Sequence, residues 1–451
     1  MVNKVLLILT LVLSLGLAFF FFRPAFMPGT GSEPGRKDGF RAPPYPEYRI
    51  EARYDPRSGL IEGKLNLTYP NPYTFSLKEL QFNLPAKALA TGAEIKIEAG
   101  NFQGRRVEYI TTGDKLLFLL DPPLRPQETA EVNIEFHTKV PEVAARLGRF
   151  RGANMLAGWY PILAPRTGGT WQGVVMDRGF GDPYFADAAF YRVKLILPTG
   201  YKVIAGGRAV DVRAEGRDQV WHFTGEQPLR EFSFAAGPGW RYIFGPPGKV
   251  ELVLAGDEGA GVAVQEGIIL ATAARALDFF QEKFGPYPYS YFHIALVPLA
   301  ELAGMEYPGL IFISTLADFS PSVVVHEVAH QWWYNLVGTD QVNEPWMDEG
   351  LAEYSTLLFY RYHDPSLYRQ RLSAAEGMAA DPMFMDRTLK DYPTALAYRQ
   401  GVYAGGRSFW LELEKKIGEE KLLAFLSRLR RDYLFRRLQK EDLLRELKSI
   451  E

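Results

Sequence analysis

The period of the hydrophobic residues changes near residue 257, and this change divides the chain into two kinds of structure. Before it, apolar and polar residues alternate in short segments between turn signals, which is typical of strands with one buried face. The clearest such segments are 64–69, 131–136, 191–197, 231–234 and 249–254. From Gln265 to Phe284 the apolar residues follow a helical period instead, and they stop at Gly285-Pro286. The sequence therefore predicts a multidomain chain, with an N-terminal all-β sandwich domain at residues 47–256 and an α+β domain at residues 257–451.

A run of eighteen residues near the amino terminus, Val5 to Phe22, is apolar or weakly polar throughout. As a helix it just crosses a bilayer core of ~30 Å, and it ends in four phenylalanines rather than in the small residues of a cleavage site. We therefore expect one uncleaved transmembrane helix within residues 1–23, followed by a proline- and glycine-rich linker at residues 24–46. Positive charges after the run favour a cytoplasmic body, whereas its short basic start favours export. We expect a single-pass membrane protein in which the domains after the linker are extracytoplasmic.

Composition excludes several classes of partner and site. Lysine plus arginine (51) nearly balances aspartate plus glutamate (53), so nothing indicates a nucleic-acid partner. The chain has no cysteine, which excludes disulfides, thiolate metal ligands and a thiol nucleophile. With only six histidines, two that stand four residues apart are informative.

These two histidines, His326 and His330, lie in a segment that begins with the signals of a helix. Ser320-Pro321 supplies an N-cap and a proline at the first helical position, and the segment continues to Trp333. A spacing of four places both imidazoles on one helix face, where they can bind one ion. The common alternative for such a pair is a role in the core.

A third ligand candidate, Glu349, stands nineteen residues beyond His330 in a second predicted helix. Two histidines and one carboxylate leave a fourth position open for water, which predicts one catalytic Zn²⁺ ion. Asp348 and Glu353 flank Glu349, so we expect them to accept the outward N–H groups of the histidines. A solvated acidic helix face is the alternative for these two carboxylates.

The pattern His326-Glu327-x-x-His330 followed by Glu349 resembles the gluzincin aminopeptidases, the group of aminopeptidase N and leukotriene hydrolase. Residues 303–309 (AGMEYPG) look like the exopeptidase motif of that family, and residues 284–289 and 181–187 are also similar to its members. The resemblance implies a thermolysin-like catalytic domain at residues 257–451. Larger members continue into a further helical domain, so this chain resembles a short form, for which we expect a more open cleft.

Zinc lowers the pKa of its bound water to ~7, and Glu327 is placed to act as general base on that water. The resemblance implies that Glu306 pairs with the free ammonium of the substrate, and that Gly304 and Met305 lie along the peptide. It also implies a tyrosine that donates to the oxyanion, for which Tyr403 and Tyr398 compete. The family spacing of fifteen residues to a late glycine is met by Tyr403 and Gly418, so we predict Tyr403.

These residues predict a zinc metallo-aminopeptidase that hydrolyses N-terminal residues from peptides with a free N-terminus. An endopeptidase of thermolysin type shares the zinc chemistry but gives no reason for Glu306. A leukotriene-hydrolase-like epoxide activity would need a lipid pocket, to which nothing in the sequence points. A catalytically silent, membrane-anchored peptide-binding scaffold is opposed by the intact Glu327 and ligand set.

Overall fold

Strands dominate the first half of the chain, as the sequence predicts. The computed structural model describes residues 45–176, 179–257, 263–377 and 385–450. Up to residue 256 its elements are β1 (Glu47–Asp55), β2 (Leu60–Pro70), β3 (Leu77–Asn83), α1 (Ala86–Leu89), β4 (Glu94–Phe102), β5 (Arg105–Arg106), β6 (Tyr109–Thr112), β7 (Lys115–Leu124), β8 (Thr129–Lys139), β9 (Leu147–Phe150), β10 (Ala153–Leu156), β11 (Ile162–Leu163), β12 (Arg166–Thr167), β13 (Thr170–Trp171), β14 (Phe190–Pro198), β15 (Tyr201–Ala205), β16 (Arg208–Glu215), β17 (Asp218–Thr224), β18 (Phe234–Pro238), β19 (Arg241–Phe244) and β20 (Glu251–Gly256).

Helices dominate the second half. Its elements are α2 (Ala263–Phe284), β21 (Tyr291–Val297), β22 (Gly304–Met305), β23 (Leu310–Ser314), α3 (Pro321–Ala329), β24 (Val337–Gly338), α4 (Trp346–His363), α5 (Pro365–Gly377), a 3₁₀ turn (Leu389–Asp391), α6 (Ala395–Tyr398), a π-helical segment (Arg399–Gly405), α7 (Gly406–Ile417), α8 (Glu419–Asp432), β25 (Arg436–Arg437) and α9 (Lys440–Leu447). The β-rich first part and the mixed second part confirm the predicted multidomain organisation.

The β-rich part contains an eight-stranded sheet in the order β16-β17-β14-β1-β2-β8-β4-β5 and two four-stranded sheets, β15-β18-β10-β9 and β11-β3-β7-β6. Burial alternates along β1, where Tyr48 and Tyr54 face the core and Arg49 and Arg53 face solvent. The buried faces share one hydrophobic core. Within this core, the Tyr54 hydroxyl donates to Asn154 Oδ1 across the sheets at 2.6 Å.

The second part has a five-stranded sheet in the order β19-β20-β21-β23-β22. Strands β20, β21 and β23 are parallel, whereas β22 pairs antiparallel with β23 at one edge. The sheet starts at Arg241, which is earlier in the chain than the predicted domain boundary at residue 256. Because β22 is an edge strand, an extended peptide can pair with its outer edge.

The alternation at 231–234 predicts a strand, but β18 begins only at Phe234, and the charged residues Arg230 and Glu231 before it are buried in a polar network. The Glu231 carboxylate accepts the hydroxyl groups of Tyr184 and Tyr334, each at 2.8 Å. Arg230 donates to main-chain carbonyls of both parts of the chain. Here alternation in the sequence reflects a buried polar network that joins the two parts.

The predicted anchor at residues 1–23 lies outside the described residues, as does the predicted linker at 24–46 except for its last two positions. Among the residues that the structure does describe, no helix combines the length and the hydrophobicity needed to cross a bilayer.

Candidate metal centre and active site

Helix α3 brings the two predicted histidine ligands together. Ser320 is its N-cap and accepts the N–H of Ser322, and Pro321 opens the helix as predicted. The helix ends at Ala329 rather than at Trp333, so that His330 is its C-cap residue and retains helical backbone angles. The two imidazoles therefore stay on one face, with their Nε2 atoms 3.0 Å apart.

The carboxylate of Glu349 projects from the first turn of α4 into the same space. Its Oε2 lies 3.1 Å from His326 Nε2 and 3.3 Å from His330 Nε2. All three side chains are largely buried, with exposed fractions of 13% for His326, 1% for His330 and 9% for Glu349. The three predicted ligand atoms thus form a triangle with edges of 3.0, 3.1 and 3.3 Å.

This triangle fits one zinc ion. Zinc bonds of ~2.0–2.2 Å at tetrahedral angles place neighbouring ligand atoms ~3.3–3.6 Å apart. The observed edges are at or slightly below that range, and the donor set of two imidazoles and one carboxylate suits zinc. Three protein ligands leave the fourth tetrahedral position for water or substrate, as in catalytic rather than structural sites.

The outward nitrogens of the histidines face partners that fix the orientation of the rings. Glu353 Oε1 lies 3.2 Å from His326 Nδ1, and Arg407 holds the other Glu353 oxygen at 3.1 Å. His330 Nδ1 lies 3.1 Å from the main-chain carbonyl of Trp333. Of the two flanking carboxylates predicted for this role, Glu353 meets a histidine. The Asp348 carboxylate instead accepts the main-chain N–H of Glu349 at 3.0 Å.

Glu327 is buried beside His326, and its carboxylate lies against the edge strand β22. A Cβ atom at position 304 would lie 2.4 Å from Glu327 Oε1, so the glycine is required by close approach. Burial raises the pKa of Glu327 to about 7. The predicted base and the predicted peptide-binding strand are therefore in direct contact.

The two candidate tyrosines occupy different positions relative to the ligand triangle. Tyr403 donates its hydroxyl to Glu349 Oε1 at 2.7 Å, and its ring stacks on His326 with centroids 6.0 Å apart. Tyr398 lies behind it, with ring centroids 5.9 Å apart, and packs against Phe180 and Tyr392. The geometry therefore places the hydroxyl of Tyr403, and not that of Tyr398, at the ligand set.

Tyr403 stands in the π-helical segment 399–405, a deviation that is frequent at functional sites. Helix α7, which follows this segment, approaches α4 closely. A Cβ atom on Gly350 of α4 would lie 2.7 Å from the Cα of Gly406 in α7. This contact between two glycines lets Tyr403 reach Glu349, which is the neighbour of Gly350.

Glu306 follows β22 and belongs to a buried polar chain. Its Oε1 accepts a hydrogen bond from Gln341 Nε2 at 3.2 Å, and the same nitrogen lies 3.3 Å from Asp182 Oδ2. Arg146 Nη1 donates to Asp182 Oδ1 at 2.6 Å and also contacts the sulfur of Met305 at 3.7 Å. The buried Glu306 and the largely buried Asp182 therefore share one neutral amide, and Asp182 also pairs with an arginine.

Burial raises the pKa of Glu306 to about 8. Burial and then the charge of Glu306 also raise the pKa of Asp182 to about 8. In both groups desolvation outweighs the nearby positive charge, which comes from Arg146 at Asp182 and from His330 at Glu306. A cationic ligand group between the two carboxyl groups would therefore be stabilised there. We refer to Glu306 and Asp182 as the carboxylate pair and to the side chain of Gln341 as its bridging amide.

Sequence reasoning missed Asp182, Gln341 and a further glutamine. Gln331, next to the second histidine, accepts the N–H of Gly309 at 2.9 Å and donates to the carbonyl of Tyr307 at 3.2 Å. It thereby ties the turn after Glu306 to the zinc-ligand helix. The segment 181–187 already stood out as similar to the aminopeptidases, and this was the available signal for Asp182.

Comparison with known proteins gives a family match for the second part of the chain. Residues 269–451 match the model described as Peptidase family M1 domain. Aminopeptidase N of Streptomyces lividans is 25% identical over 305 residues, which cover 58% of this chain and 33% of that protein. Aminopeptidase B of Homo sapiens is 24% identical over 306 residues, which cover 60% of this chain and 44% of that protein. The chain thus spans less than half the length of these curated relatives.

Among solved structures, an M1 zinc metallopeptidase from Deinococcus radiodurans is similar with a TM-score of 0.68 and 20% identity, and 90% of each chain is covered. A mutant of this enzyme, bound to a Tyr-Ser-Ala substrate, is similar with a TM-score of 0.69 over the same share of both chains. These similarities show that both described parts of the chain share the fold of that enzyme.

Proposed function

We propose that this chain, which belongs to the aminopeptidase N-type gluzincin family of zinc metallopeptidases, removes single residues from the free amino terminus of peptides. Family membership makes it a metallopeptidase and hence a hydrolase, and the His-His-Glu set fits one zinc ion. The observation that carries the finer assignment is the carboxylate pair near the metal-ligand set, in which Glu306 is buried and Asp182 is largely buried.

An exopeptidase must recognise the substrate ammonium and hold the first peptide bond at the reacting atoms. Edge strand β22 runs from Gly304, which touches Glu327, to Met305, and Glu306 follows directly. A peptide that pairs with this edge would therefore reach the Glu306 carboxylate one residue beyond the strand that contacts the general base, Glu327. Buried carboxylates that share a neutral amide are matched by an ammonium ion, and Asp182 adds a second acceptor.

Zinc, when bound, supplies a water of lowered pKa and polarises the peptide carbonyl. Glu327 accepts the proton of the attacking water and passes it to the departing amine nitrogen. The Tyr403 hydroxyl donates a hydrogen bond to the carbonyl oxygen as negative charge develops there. Glu353 and the carbonyl of Trp333 hold the histidine rings in orientation.

The test compares Glu306→Gln with wild type on matched peptides that carry either a free or an acetylated amino terminus. Loss of one partner of a buried charge pair costs ~2–5 kcal/mol, so kcat/KM for free peptides should fall by roughly 30-fold or more. The solvent-exposed side of α2 offers a control, Glu282→Gln, which should leave kcat/KM unchanged.

Three outcomes would contradict the proposal. Equal losses on free and acetylated peptides would remove the reason for an ammonium site at Glu306. Internal cleavage of acetylated peptides, independent of Glu306, would indicate an endopeptidase of thermolysin type. A zinc-loaded protein that cleaves neither substrate would indicate a peptide-binding scaffold.

We further propose that residues 5–22 anchor the protein in a membrane and that the catalytic domain is extracytoplasmic. The support is the uninterrupted apolar run between Lys4 and Arg23 in the sequence. Fractionation of the full chain and a variant without residues 5–22 tests the anchor. Digestion of intact cells by an added protease tests the orientation, and full protection of the catalytic domain would refute it.

A further inference from the structure

Helix α7 and the π-helical segment before it contact helix α4 through two side chains that stand four residues apart. Tyr403 donates to Glu349 Oε1 at 2.7 Å, and Arg407 Nη1 donates to Glu353 Oε2 at 3.1 Å. The two acceptors, Glu349 and Glu353, are also four residues apart, so they lie on one face of α4. The two contacts are therefore consecutive links between the same two stretches of helix.

Both links end at the metal-ligand set. Glu349 is itself a candidate zinc ligand, and the second oxygen of Glu353 lies 3.2 Å from Nδ1 of the candidate ligand His326. A continuous chain of contacts thus runs from Arg407 through the Glu353 carboxylate to the His326 ring. A carboxylate in this position orients the ring of a metal ligand, and it can do so only if its own orientation is fixed.

The Arg407 guanidinium is buried beyond what packing alone explains. The Arg407 side chain is 7% exposed and that of Glu353 is 14% exposed, so water screens their contact only weakly. Only Nη1 contacts Glu353, whereas Nε and Nη2 are buried without a hydrogen-bond partner among the described residues. An apolar side chain of similar volume would pack here at lower cost, so the charge and the bond to Glu353 are the features that require an arginine.

The two helices come closest between the two links. A Cβ atom on Gly406 would lie 2.7 Å from the Cα of Gly350. Gly350 stands between the two glutamates of α4, and Gly406 stands between Tyr403 and Arg407. In such close packing one link cannot shift without moving the other. The Arg407 contact therefore restrains α7 and, with it, the Tyr403 hydroxyl.

We propose that Arg407 is a positioning residue that acts on the metal centre in two ways. Through Glu353 it holds the His326 ring in the orientation that binds zinc. Through the docking of α7 on α4 it holds the Tyr403 hydroxyl in place for the reaction. The second action rests on the proposed function, from which the role of Tyr403 is taken, whereas the first rests only on the zinc-ligand set.

The first action is tested by zinc affinity in a competitive chelator titration. Arg407→Met keeps an unbranched stem but removes the charge, and it should raise the Kd for zinc by ~10–100-fold. Arg407→Lys should bring the Kd back to within about threefold of wild type, because an ammonium group can supply the single contact to Glu353. In a Glu353→Gln background Arg407→Met should add little further loss, because the residue through which Arg407 acts is already changed.

Arg361→Met is a matched control for the docking of the two helices. Arg361 joins α4 to α7 further along by an ion pair with Glu414 at 2.7 Å. Its other hydrogen-bond partners among the described residues are Glu419 and Tyr368, so it lies outside the contacts that reach zinc. Arg361→Met should leave the Kd for zinc unchanged. The visible absorption of the Co²⁺-substituted protein, which reports ligand geometry, should change in Arg407→Met and not in Arg361→Met.

The second action is tested by a double-mutant cycle on kcat with saturating zinc and a free-amine reporter. Arg407→Met should lower kcat by about tenfold with KM nearly unchanged, and by less than about twofold in a Tyr403→Phe background, where the positioned hydroxyl is absent. Urea unfolding of the zinc-free proteins checks that each variant is folded. If Arg407→Met does not fold, its combination with Glu353→Gln, which leaves no unpaired buried charge, is compared with Glu353→Gln alone.

The outcomes separate this inference from the function beneath it. An unchanged Kd for zinc in Arg407→Met, or an equal rise in Arg361→Met, would overturn the action on His326. Equal losses of kcat with and without the Tyr403 hydroxyl would overturn the action on Tyr403. A wild-type protein that binds zinc in an Arg407-dependent manner but hydrolyses no peptide would overturn the proposed peptidase activity and support the action on His326.

Discussion

Removal of one hydroxyl group distinguishes the two tyrosines that stand near the ligand set. In Tyr403→Phe the ring that stacks on His326 is kept and only the donor to Glu349 Oε1, at 2.7 Å, is lost. Tyr398→Phe is a matched control, because it removes the same group from a buried tyrosine directly behind Tyr403. Both changes preserve volume, so neither should create a cavity.

The expected magnitude follows from where each hydroxyl lies. An oxyanion donor contributes ~2.7–4 kcal/mol to the barrier, which is ~10²–10³-fold in kcat. Before the reaction the Tyr403 hydroxyl already donates to the Glu349 carboxylate. Donation to the oxyanion replaces this bond, so the net stabilisation of the transition state is smaller. We therefore expect the lower end of the range for the loss in kcat, ~10²-fold. Loss of the Tyr398 hydroxyl should change kcat by less than about fivefold, the equivalent of one ordinary hydrogen bond of ~1 kcal/mol.

Steady-state kinetics on a free-amine reporter should show the loss of Tyr403→Phe in kcat, with KM nearly unchanged. Zinc content and the midpoint of urea unfolding have to be measured on the same samples, because the lost bond also touches a metal ligand. The assignment is refuted if Tyr398→Phe loses as much kcat as Tyr403→Phe. It is also refuted if the Tyr403→Phe loss disappears once zinc is restored to full occupancy.

Three further predictions concern the metal and a buried histidine. Glu353→Gln should weaken zinc binding by ~10–100-fold in a competitive chelator titration, because Glu353 orients His326; unchanged affinity would argue against that role. Chelation should abolish activity and, where free zinc had exceeded its Kd a thousandfold, lower the unfolding free energy by ~4 kcal/mol, with both restored by zinc but not by magnesium. Burial lowers the pKa of His293 to about 4. Between pH ~6.5 and about 4, His293 is therefore protonated in the unfolded chain but neutral in the folded one, and this favours unfolding. Stability should fall by ~2 kcal/mol from pH 7 to pH 5 in urea unfolding, and a His293→Gln variant should lack this part of the fall.

The metal centre could be predicted from the sequence because its information is local. His326 and His330 are one helical turn apart, so their common face follows from helix geometry alone. Glu349 could be added because the residue type completes the coordination chemistry of zinc. Its distance from the histidines depends on how α3 and α4 pack, and the structure supplies that distance.

The carboxylate pair could be predicted only in part because its contacts are distant in sequence. Asp182 and Glu306 meet at Gln341, across 159 and 35 residues. No period or spacing rule relates such positions, and a glutamine between two carboxylates carries no recognisable pattern. The π-helical segment that aims Tyr403 is equally hidden, since it arises from packing rather than from local propensity.

The ammonium site that we propose takes residues from both parts of the chain, so under this proposal the contact between the two parts contributes to specificity. Asp182 comes from the loop before β14, whereas Glu306 and Gln341 come from the second part. Purely apolar surfaces could slide against each other, but directional hydrogen bonds from the buried Arg230 and to the buried Glu231 fix their register. Recognition within ~0.5 Å requires such fixed support. The segment 231–234, whose alternation resembles a strand in the sequence, therefore contributes through Glu231 to the contact between the two parts that supply Asp182 and Glu306.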